Sequence, residues 1–230
     1  MAERPLALEP LARITLNELA YSRLKHALLS GRLEPGTALT LRELAAQLGT
    51  SMMPVREAVT RLSAENALVV LPNRGIKVPT LDAATAAELW RLRELLEGEA
   101  CAEAARHVTA AELARIRTLR DAVEAHGRAG ALHGVLEANS AFQFAIYEAA
   151  RGPIALQLIE VLRMKSVPHC TTAIRRMLRD RPAYFDECWA NHDALVDALA
   201  RGDAEAARAV KLRDLRGLRA LVAAAEGAQA

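Results

Sequence analysis

A change in the character of the sequence near Pro79 most constrains how this 230-residue chain can fold. The only β-rich stretch, residues 68–78, precedes this proline, whereas the segments after it are long, alanine-rich and spaced as amphipathic helices. Alanine and leucine favour helices, and the aromatic residues that favour strands make up only 3% of the chain. We therefore expect a mainly α-helical protein, divided at about residues 79–82 into domains at residues 10–80 and 83–228.

The charge is divided unevenly between these two domains. Residues 1–80 carry ten basic and seven acidic side chains, a net charge of +3, whereas the remaining residues carry a net charge of −1. A basic excess of this size is compatible with a polyanionic partner without proving one. The longest uncharged run, residues 44–55, is too short to span a membrane. Because the first residues lack a continuous apolar segment, we expect a cytoplasmic protein with no membrane attachment.

Local signals in the first domain predict three helices followed by a hairpin. Apolar residues at helical spacing predict a helix over residues 16–30, and a capping box at Thr40–Glu43 opens a two-turn helix that ends at Gly49. The third helix has an apolar stripe at Val55, Ala58, Val59 and Leu62. Two β-rich segments, 68–71 and 76–78, then flank a four-residue loop. This order is typical of a winged helix-turn-helix.

The third helix and the hairpin are the candidate DNA-contacting elements. In a helix-turn-helix, the N-terminal turn of the recognition helix meets base edges in the major groove. Arg56 would then reach a guanine or a phosphate, and Arg74 at the wing tip would reach the adjacent backbone or minor groove. Alternatively, Arg56 only pairs with a neighbouring acidic residue and the hairpin has no role in binding.

Four sequence blocks in this domain resemble the GntR family of bacterial transcription regulators. Preceded by Ala20 and Tyr21, the blocks are LEPGTAL at 33–39, LRELAAQLG at 41–49, PVREAVTRL at 54–62 and PNRG at 72–75. The resemblance implies operator contacts at six positions: Arg42, Ser51, Met52, Arg56, Arg74 and Gly75. The family usually has a basic residue at the position of Met52, so the operator sequence of relatives does not transfer to this chain.

The second domain has the sequence pattern of six helices. Caps and helix breakers place them at 83–106, 109–126 and 131–151, then from Pro153, from Pro182 to Arg201, and from Asp203 onward. Proline removes a backbone donor, so Pro168 should kink or split the fourth helix. This helix order, with segments 88–98 and 191–203, resembles the FCD domain of FadR-type GntR regulators. The resemblance implies effector binding and homodimerisation.

The FCD resemblance also implies a set of ligand positions. Many FCD domains hold a divalent metal with one aspartate and three histidines, and the corresponding positions here are Asn139, Gln143, His192 and Asp214. Only His192 keeps its identity, and neutral amides are weak ligands for a transition metal. We therefore predict no metal cofactor and a polar pocket in which these four residues bind the effector directly. Alternatively, His192 is an interhelical hydrogen-bonding residue and the two amides only line the core.

Basic residues near this pocket indicate the charge of the effector. Arg93 matches an arginine that is frequent in the family and is expected to point inward, with Arg163, Lys165 and Arg175 as further candidates. We therefore expect a small anionic, organic-acid-type effector. His169 would either line the same cavity or lie in solvent. Because aromatic residues are scarce, the cavity should select a small polar or acidic ligand rather than a flat aromatic one.

Motifs of the common enzyme classes are missing from the sequence. It has no GxSxG, GxGxxG, P-loop or HExxH motif, and Glu94 and Glu97 are interpreted as part of a solvated helix face. Three distant cysteines favour reduced thiols over disulfides or a zinc site. We predict a homodimeric repressor that a small metabolite releases from a palindromic double-stranded operator. The alternatives are an activator of the same family, or a helical metal- or small-molecule-binding protein or enzyme with a vestigial DNA module.

Overall fold

The computed structural model describes residues 15–72, 75–180 and 184–227. We call residues 15–72 and 75–78 the head. Its elements are α1 (Leu16–Leu29), β1 (Ala38–Thr40), α2 (Leu41–Leu48), α3 (Met52–Ala64), β2 (Val69–Val70) and β3 (Gly75–Lys77). The strands form an antiparallel sheet in the order β1-β3-β2. The predicted winged helix-turn-helix is confirmed.

Strand β1 is an element of the head that the local sequence signals did not predict. It is three residues long, and its central residue Leu39 pairs with Ile76 of β3. A strand this short carries no recognisable alternation of apolar and polar residues. Its position is fixed by its neighbours, because its last residue, Thr40, is also the N-cap of α2 and accepts a hydrogen bond from the amide of Glu43 at 3.2 Å.

The described residues from 83 onward, which we call the body, form the six helices that the sequence predicts. They are α4 (Ala83–His107), α5 (Ala110–Arg128), α6 (Leu132–Ala149), α7 (Pro153–Asp180), α8 (Tyr184–Arg201) and α9 (Ala204–Gly227). The side chain of Asp82 caps α4 by accepting a hydrogen bond from the amide of Thr85 at 2.7 Å. Within the described residues, no helix is both long enough and apolar enough to cross a membrane.

The sequence predicts that Pro168 kinks or splits helix α7, but the helix is not split there. Proline lacks the amide that would bond the carbonyl of Met164, so this turn loses one backbone hydrogen bond. The helix packs against α1, α4, α6 and α9, and both Val167 and Pro168 are buried. Tertiary packing on several sides thus keeps the helix continuous.

The head and the body have separate hydrophobic cores that meet at α7. The head core includes the fully buried Leu28 and Val55, and the body core includes Phe142 and Ile146 of α6. Met164, a residue of α7 in the body, belongs to the head core and is completely buried. Moving the head away from α7 would therefore expose a large apolar side chain to water.

Polar contacts also join α1 and the loop after it to the body. Ion pairs between described residues of the two parts include Lys25–Glu160, Arg32–Glu137 and Arg175–Glu34. The hydroxyl of Thr171 donates to the carbonyl of Gly31 at 3.4 Å. Gly31 has a φ of +63°, and a Cβ atom added there would lie 2.3 Å from Thr171 Oγ1. Exposed ion pairs contribute little to stability, so the close approach at Gly31 is the more specific contact.

We expect Gly31→Ala to destabilise the protein by about 2–5 kcal/mol. The left-handed conformation costs alanine about 1–2 kcal/mol, and overpacking against Thr171 costs about 1–3 kcal/mol more. Gly36→Ala is the matched control, because Gly36 has a φ of +78° but nothing within 4 Å of an added Cβ atom. Urea unfolding curves of both variants measure the difference. Equal losses of stability would contradict close packing of head and body at Gly31.

Candidate DNA-binding surface and effector cavities

Helix α3 turns one face to the head core and the other to solvent. Val55 and four neighbours on the core side are buried. On the other side, Met52 and Met53 are 50% and 62% exposed, and Arg56 is exposed beside them. Residues three or four apart are neighbours on a helix surface, so these three side chains form one patch. Ser51 is the N-cap of α3, and its side chain makes no capping hydrogen bond.

The exposed arginines on α2 and α3 differ in whether an acidic side chain pairs with them. Among the described residues, Arg42 of α2 and Arg56 of α3 form no ion pair with an acidic side chain. Arg61, by contrast, lies with its guanidinium carbon 3.7 Å from the centre of the Tyr21 ring and its Nε atom 3.4 Å from Glu65. The alternative in which Arg56 only pairs with an acidic neighbour is therefore not observed within the described part of the chain.

Of the two residues predicted to contact DNA at the wing tip, the structure describes Gly75 and not Arg74. Arg74 lies outside the described residues. Gly75 is the first residue of β3, where it is buried and pairs with Thr40. The operator contacts predicted for these residues therefore remain predictions, and a contact by Gly75 would have to come from its backbone.

A buried cluster of charges joins four helices of the body around Glu97. Nε of Arg93 on α4 donates to Glu97 at 2.5 Å. Nζ of Lys211 on α9 lies 3.1 Å from Glu97, and Nη1 of Arg163 on α7 lies 3.4 Å from it. The hydroxyl of Tyr147 on α6 also donates to this carboxylate. Arg93 therefore points inward as predicted, whereas the interpretation of Glu97 as part of a solvated face is wrong, because its side chain is fully buried.

The electrostatics of this cluster keep Glu97 ionised. Burial by itself would raise the pKa of Glu97, but the charges of Arg93, Lys211 and Arg163 outweigh burial and hold the pKa far below its ordinary value. Burial, reinforced by the charge of Glu97, raises the pKa of Tyr147 well above its ordinary value. Tyr147 is thus a neutral donor near pH 7, and one carboxylate faces three cations.

Two adjoining cavities lie beside the cluster. The one that we call the cationic cavity is lined by the three cations of the cluster together with Asn139, Gln143 and Asp214. The one that we call the apolar cavity is lined mostly by hydrophobic side chains together with Asn139, His192 and Asp214. All four residues at the positions that the resemblance implies, and Arg93, therefore line one or both cavities.

Three further candidates do not line these cavities. Arg175 is exposed and pairs with Glu34 of the head, Lys165 lines a cleft beside the head, and His169 lines a separate groove against α4 and α9. The expectation that Lys165 and Arg175 point inward is not met at these cavities, because helical spacing turns Arg163 toward the body interior and these two residues away from it. Arg163 does line the cationic cavity.

Buried polar atoms without partners surround the two cavities. Among the described residues, four such atoms are Asn139 Oδ1, Arg163 Nε, Trp189 Nε1 and His192 Nδ1. Native structures keep few polar atoms in this state, because each costs about 1–3 kcal/mol. Burial lowers the pKa of His192 despite the opposing charge of Asp214, so its ring is neutral at pH 7. The alternative in which His192 is fully hydrogen-bonded between helices does not hold for its Nδ1 atom.

Sequence reasoning missed three residues of the site. Lys211 lies four residues from both Ala207 and Leu215, which are buried, so the helical spacing did carry a signal that this lysine faces inward. Phe185 and Trp189 line the apolar cavity with ring centres 5.9 Å apart. For these two rings, the only sequence signal was their i, i+4 spacing on α8, which places both on the same face of the helix.

The divalent metal that the FCD resemblance implies does not fit these residues. Two of the four ligand positions are amides. The ammonium group of Lys211 lies 2.9 Å from Gln143 Oε1 and 3.5 Å from Asp214 Oδ2, so a cation of the protein already lies between two of these positions. In the described part of the chain, no three histidine, cysteine or acidic side chains are grouped to hold a metal ion. A transition metal would need softer or more charged ligands.

Comparison with known proteins gives two family matches. The model of the FCD domain matches residues 88–228, and the model of the bacterial regulatory proteins of the gntR family matches residues 16–78. The chain is 33% identical to the HTH-type transcriptional regulator McbR of Escherichia coli K12 over 85% of this chain and 87% of that protein. It is 30% identical to the "Probable D-xylose utilization operon transcriptional repressor" of Paenarthrobacter nicotinovorans, over 86% and 84% of the two chains.

Solved structures show the same architecture. The structure of E. coli McbR/YncC superposes with a TM-score of 0.84 at 30% identity, covering 92% of this chain and 99% of that one. A GntR regulator from Rhodococcus sp. RHA1 shares the fold, with a TM-score of 0.70 at 22% identity over 90% and 97% of the chains. The matched families and relatives are transcriptional regulators and not enzymes. The chain therefore belongs to the GntR family of DNA-binding transcriptional regulators, with a C-terminal FCD domain.

Proposed function

We propose that the chain is a ligand-responsive repressor that binds a palindromic operator as a homodimer and leaves it when a small anionic metabolite binds the body. Residues 10–80 form the DNA-binding domain, and residues 83–228 form the effector-binding and dimerisation domain. Because operator DNA of a bacterium lies in the cytoplasm, the protein acts there. The relative whose name describes a repressor supports repression, and activation by the same fold is the alternative.

The excess of buried positive charge carries this proposal. Among the described residues, Arg93, Arg163 and Lys211 face only the carboxylates of Glu97 and Asp214, so the charges around the cationic cavity sum to about +1. A buried charge without a partner is costly, and a bound monoanion would neutralise it. Arg163 is the best anchor for that anion, because its bond to Glu97 is long and its Nε atom has no partner in the described structure.

The apolar cavity supports a ligand with an apolar part as well as a charge. Its walls include Phe185 and Trp189, and within the described structure three of its polar atoms lack partners: Asn139 Oδ1, Trp189 Nε1 and His192 Nδ1. The indole nitrogen can only donate a hydrogen bond, and the amide oxygen can only accept one. A hydroxyl or amide group on the ligand satisfies both kinds of atom. The effector is then a small acid with an apolar body and one such group.

The cationic cavity also suggests how a ligand would act on the head. Leu29, near the end of α1, is part of its lining, together with Leu136 and Val167 of the body. A ligand in this cavity therefore touches α1 directly. It loosens DNA binding only if it favours an orientation of the heads that does not fit DNA. A typical coupling of about 1–3 kcal/mol would weaken operator binding about 5- to 150-fold.

The DNA side of the proposal depends on two copies of α3. In a homodimer, two heads meet the two half-sites of a palindrome, and the second contact forms at high effective concentration. Within each head, Arg42, Ser51 and Arg56 lie exposed on α2, before α3 and on α3. An exposed arginine without an acidic partner is suited to a guanine edge or a phosphate.

Arg56→Ala is expected to weaken operator binding by roughly 30-fold or more. Loss of a bidentate contact costs about 1–3 kcal/mol at each half-site, and a dimer loses two such contacts. A mobility-shift titration against a duplex selected from random DNA measures the loss. Arg61→Ala is the control on the same helix, since Arg61 is held by Tyr21 and Glu65 and should change affinity much less. Unchanged operator binding by Arg56→Ala would contradict the assignment of α3 as the recognition helix.

Arg163→Gln is expected to weaken effector binding about 10- to 150-fold, since hydrogen bonds to a charged group contribute about 1.5–3 kcal/mol. Glu97 keeps Arg93 and Lys211 as partners, so the variant should fold and bind operator normally in the absence of ligand. Thermal shifts with benzoate, 4-hydroxybenzoate, hexanoate and succinate identify a binding acid, and mobility shifts then report DNA release.

The control for this variant is Arg115→Gln. Arg115 pairs with Glu148 at 3.3 Å on the surface of the body, away from both cavities, and its loss should leave the acid response intact. An acid that stabilises Arg163→Gln as strongly as the unaltered protein would show that the anion binds elsewhere. An acid that binds but leaves operator affinity unchanged would contradict the repressor switch.

A further inference from the structure

The first turn of α3 exposes two methionine side chains to solvent. Met52 and Met53 keep 50% and 62% of their surface exposed, whereas Met164 is completely buried. Methionine is usually buried, because its exposed thioether chain gains nothing from contact with water. No acidic residue lies in this first turn. The patch is therefore apolar and carries no charge that would repel a phosphate backbone.

This patch continues the surface that carries Arg56. Arg56 lies four residues after Met52 and three after Met53, so all three side chains lie on one helix face. The core side of α3 is packed by Val55 and Leu62, which fixes this face outward. The N-terminal turn of a recognition helix is the part that meets base edges in the major groove. This position in the fold favours DNA as the occupant of the patch.

A methionine side chain cannot form the hydrogen bonds by which arginine reads guanine or glutamine reads adenine. The apolar group on the major-groove edge of the four base pairs is the C5-methyl group of thymine. We propose that Met52 and Met53 recognise thymine methyl groups, so that each half-site has A·T or T·A pairs where the first turn of α3 meets the groove. This inference rests on the proposed operator binding and adds the base composition to it.

The test removes the methyl group without changing the base pair. A duplex is first selected from random DNA by the unaltered full-length protein, and the thymines of its half-sites are then replaced one at a time by deoxyuridine. Burying one methyl group contributes about 0.8 kcal/mol, so each contacted thymine should weaken binding about fourfold when it loses its methyl group. In the converse experiment, the contacted thymine is replaced by cytosine or by 5-methylcytosine. The duplex with 5-methylcytosine should bind more tightly than the duplex with cytosine, by a similar factor.

The matched variants are Met52→Ser and Met53→Ser, alone and combined. Serine is tolerated in the first turn of a helix but cannot reach the methyl group. We expect the double variant to bind thymine and deoxyuridine duplexes equally, although more weakly than the unaltered protein binds thymine. Leu95→Gln is the control, because Leu95 is a similarly exposed apolar residue of the body, 61% exposed, and should leave the preference for thymine unchanged.

Each result separates this inference from the proposed function. Equal binding of thymine and deoxyuridine duplexes by the unaltered protein, or a preference that the double variant retains, would overturn methyl recognition while leaving operator binding intact. Selection of half-sites with G·C pairs facing the first turn would overturn it as well. If no duplex is selected at all, the proposed operator binding fails and this inference fails with it.

Discussion

A single buried carboxylate, that of Glu97, links four helices of the body of this regulator. It receives bonds from side chains on α4, α6, α7 and α9, so four helices meet at one pair of oxygen atoms. Burying charges costs several kcal/mol per ion, and only close opposite charges and hydrogen bonds compensate for that cost. Without Glu97, three cations would face each other in the interior. The spacing of the helices around the cationic cavity therefore depends on this carboxylate.

Helix α7 connects the charge cluster to the DNA-binding head. Within two turns it carries Arg163, which faces the cluster, Met164, which belongs to the head core, and Val167, which lines the cationic cavity. One turn further on, Thr171 bonds to the carbonyl of Gly31. These residues lie on one continuous helix, so a displacement of α7 at the cavity would be transmitted to the head. Packed interfaces of this kind adopt discrete arrangements and do not deform continuously.

Much of the fold could be predicted because its signals are local. Capping boxes, helix-ending glycines and apolar spacing each depend on fewer than ten consecutive residues, and they located the helices of the head and the body. Strand β1 could not be predicted, because it exists only through pairing with β3. The continuity of α7 through Pro168 depends likewise on packing by neighbouring helices. Local signals indicate where a helix or strand can begin or end. Where they allow more than one outcome, as at β1 and at Pro168, tertiary contacts determine the structure.

For the candidate site, the sequence predicted the cavity-lining positions but not the contacts between them, because those contacts depend on tertiary packing. The resemblance to FCD domains located Asn139, Gln143, His192 and Asp214, which do line the cavities. It did not show that a lysine ammonium lies against two of them, since Lys211 meets Gln143 of α6 only once α9 has packed against α4 and α8.

The composition of the chain was a poor guide to the lining of the cavity. A chain with eight aromatic residues was expected to have a cavity with few rings, yet Phe185 and Trp189 line it side by side and His192 packs on Phe142. An average over 230 residues does not constrain a site built from about a dozen. The same holds for charge, because a net charge of +2 for the whole chain gives no indication that three cations converge on one carboxylate in its interior.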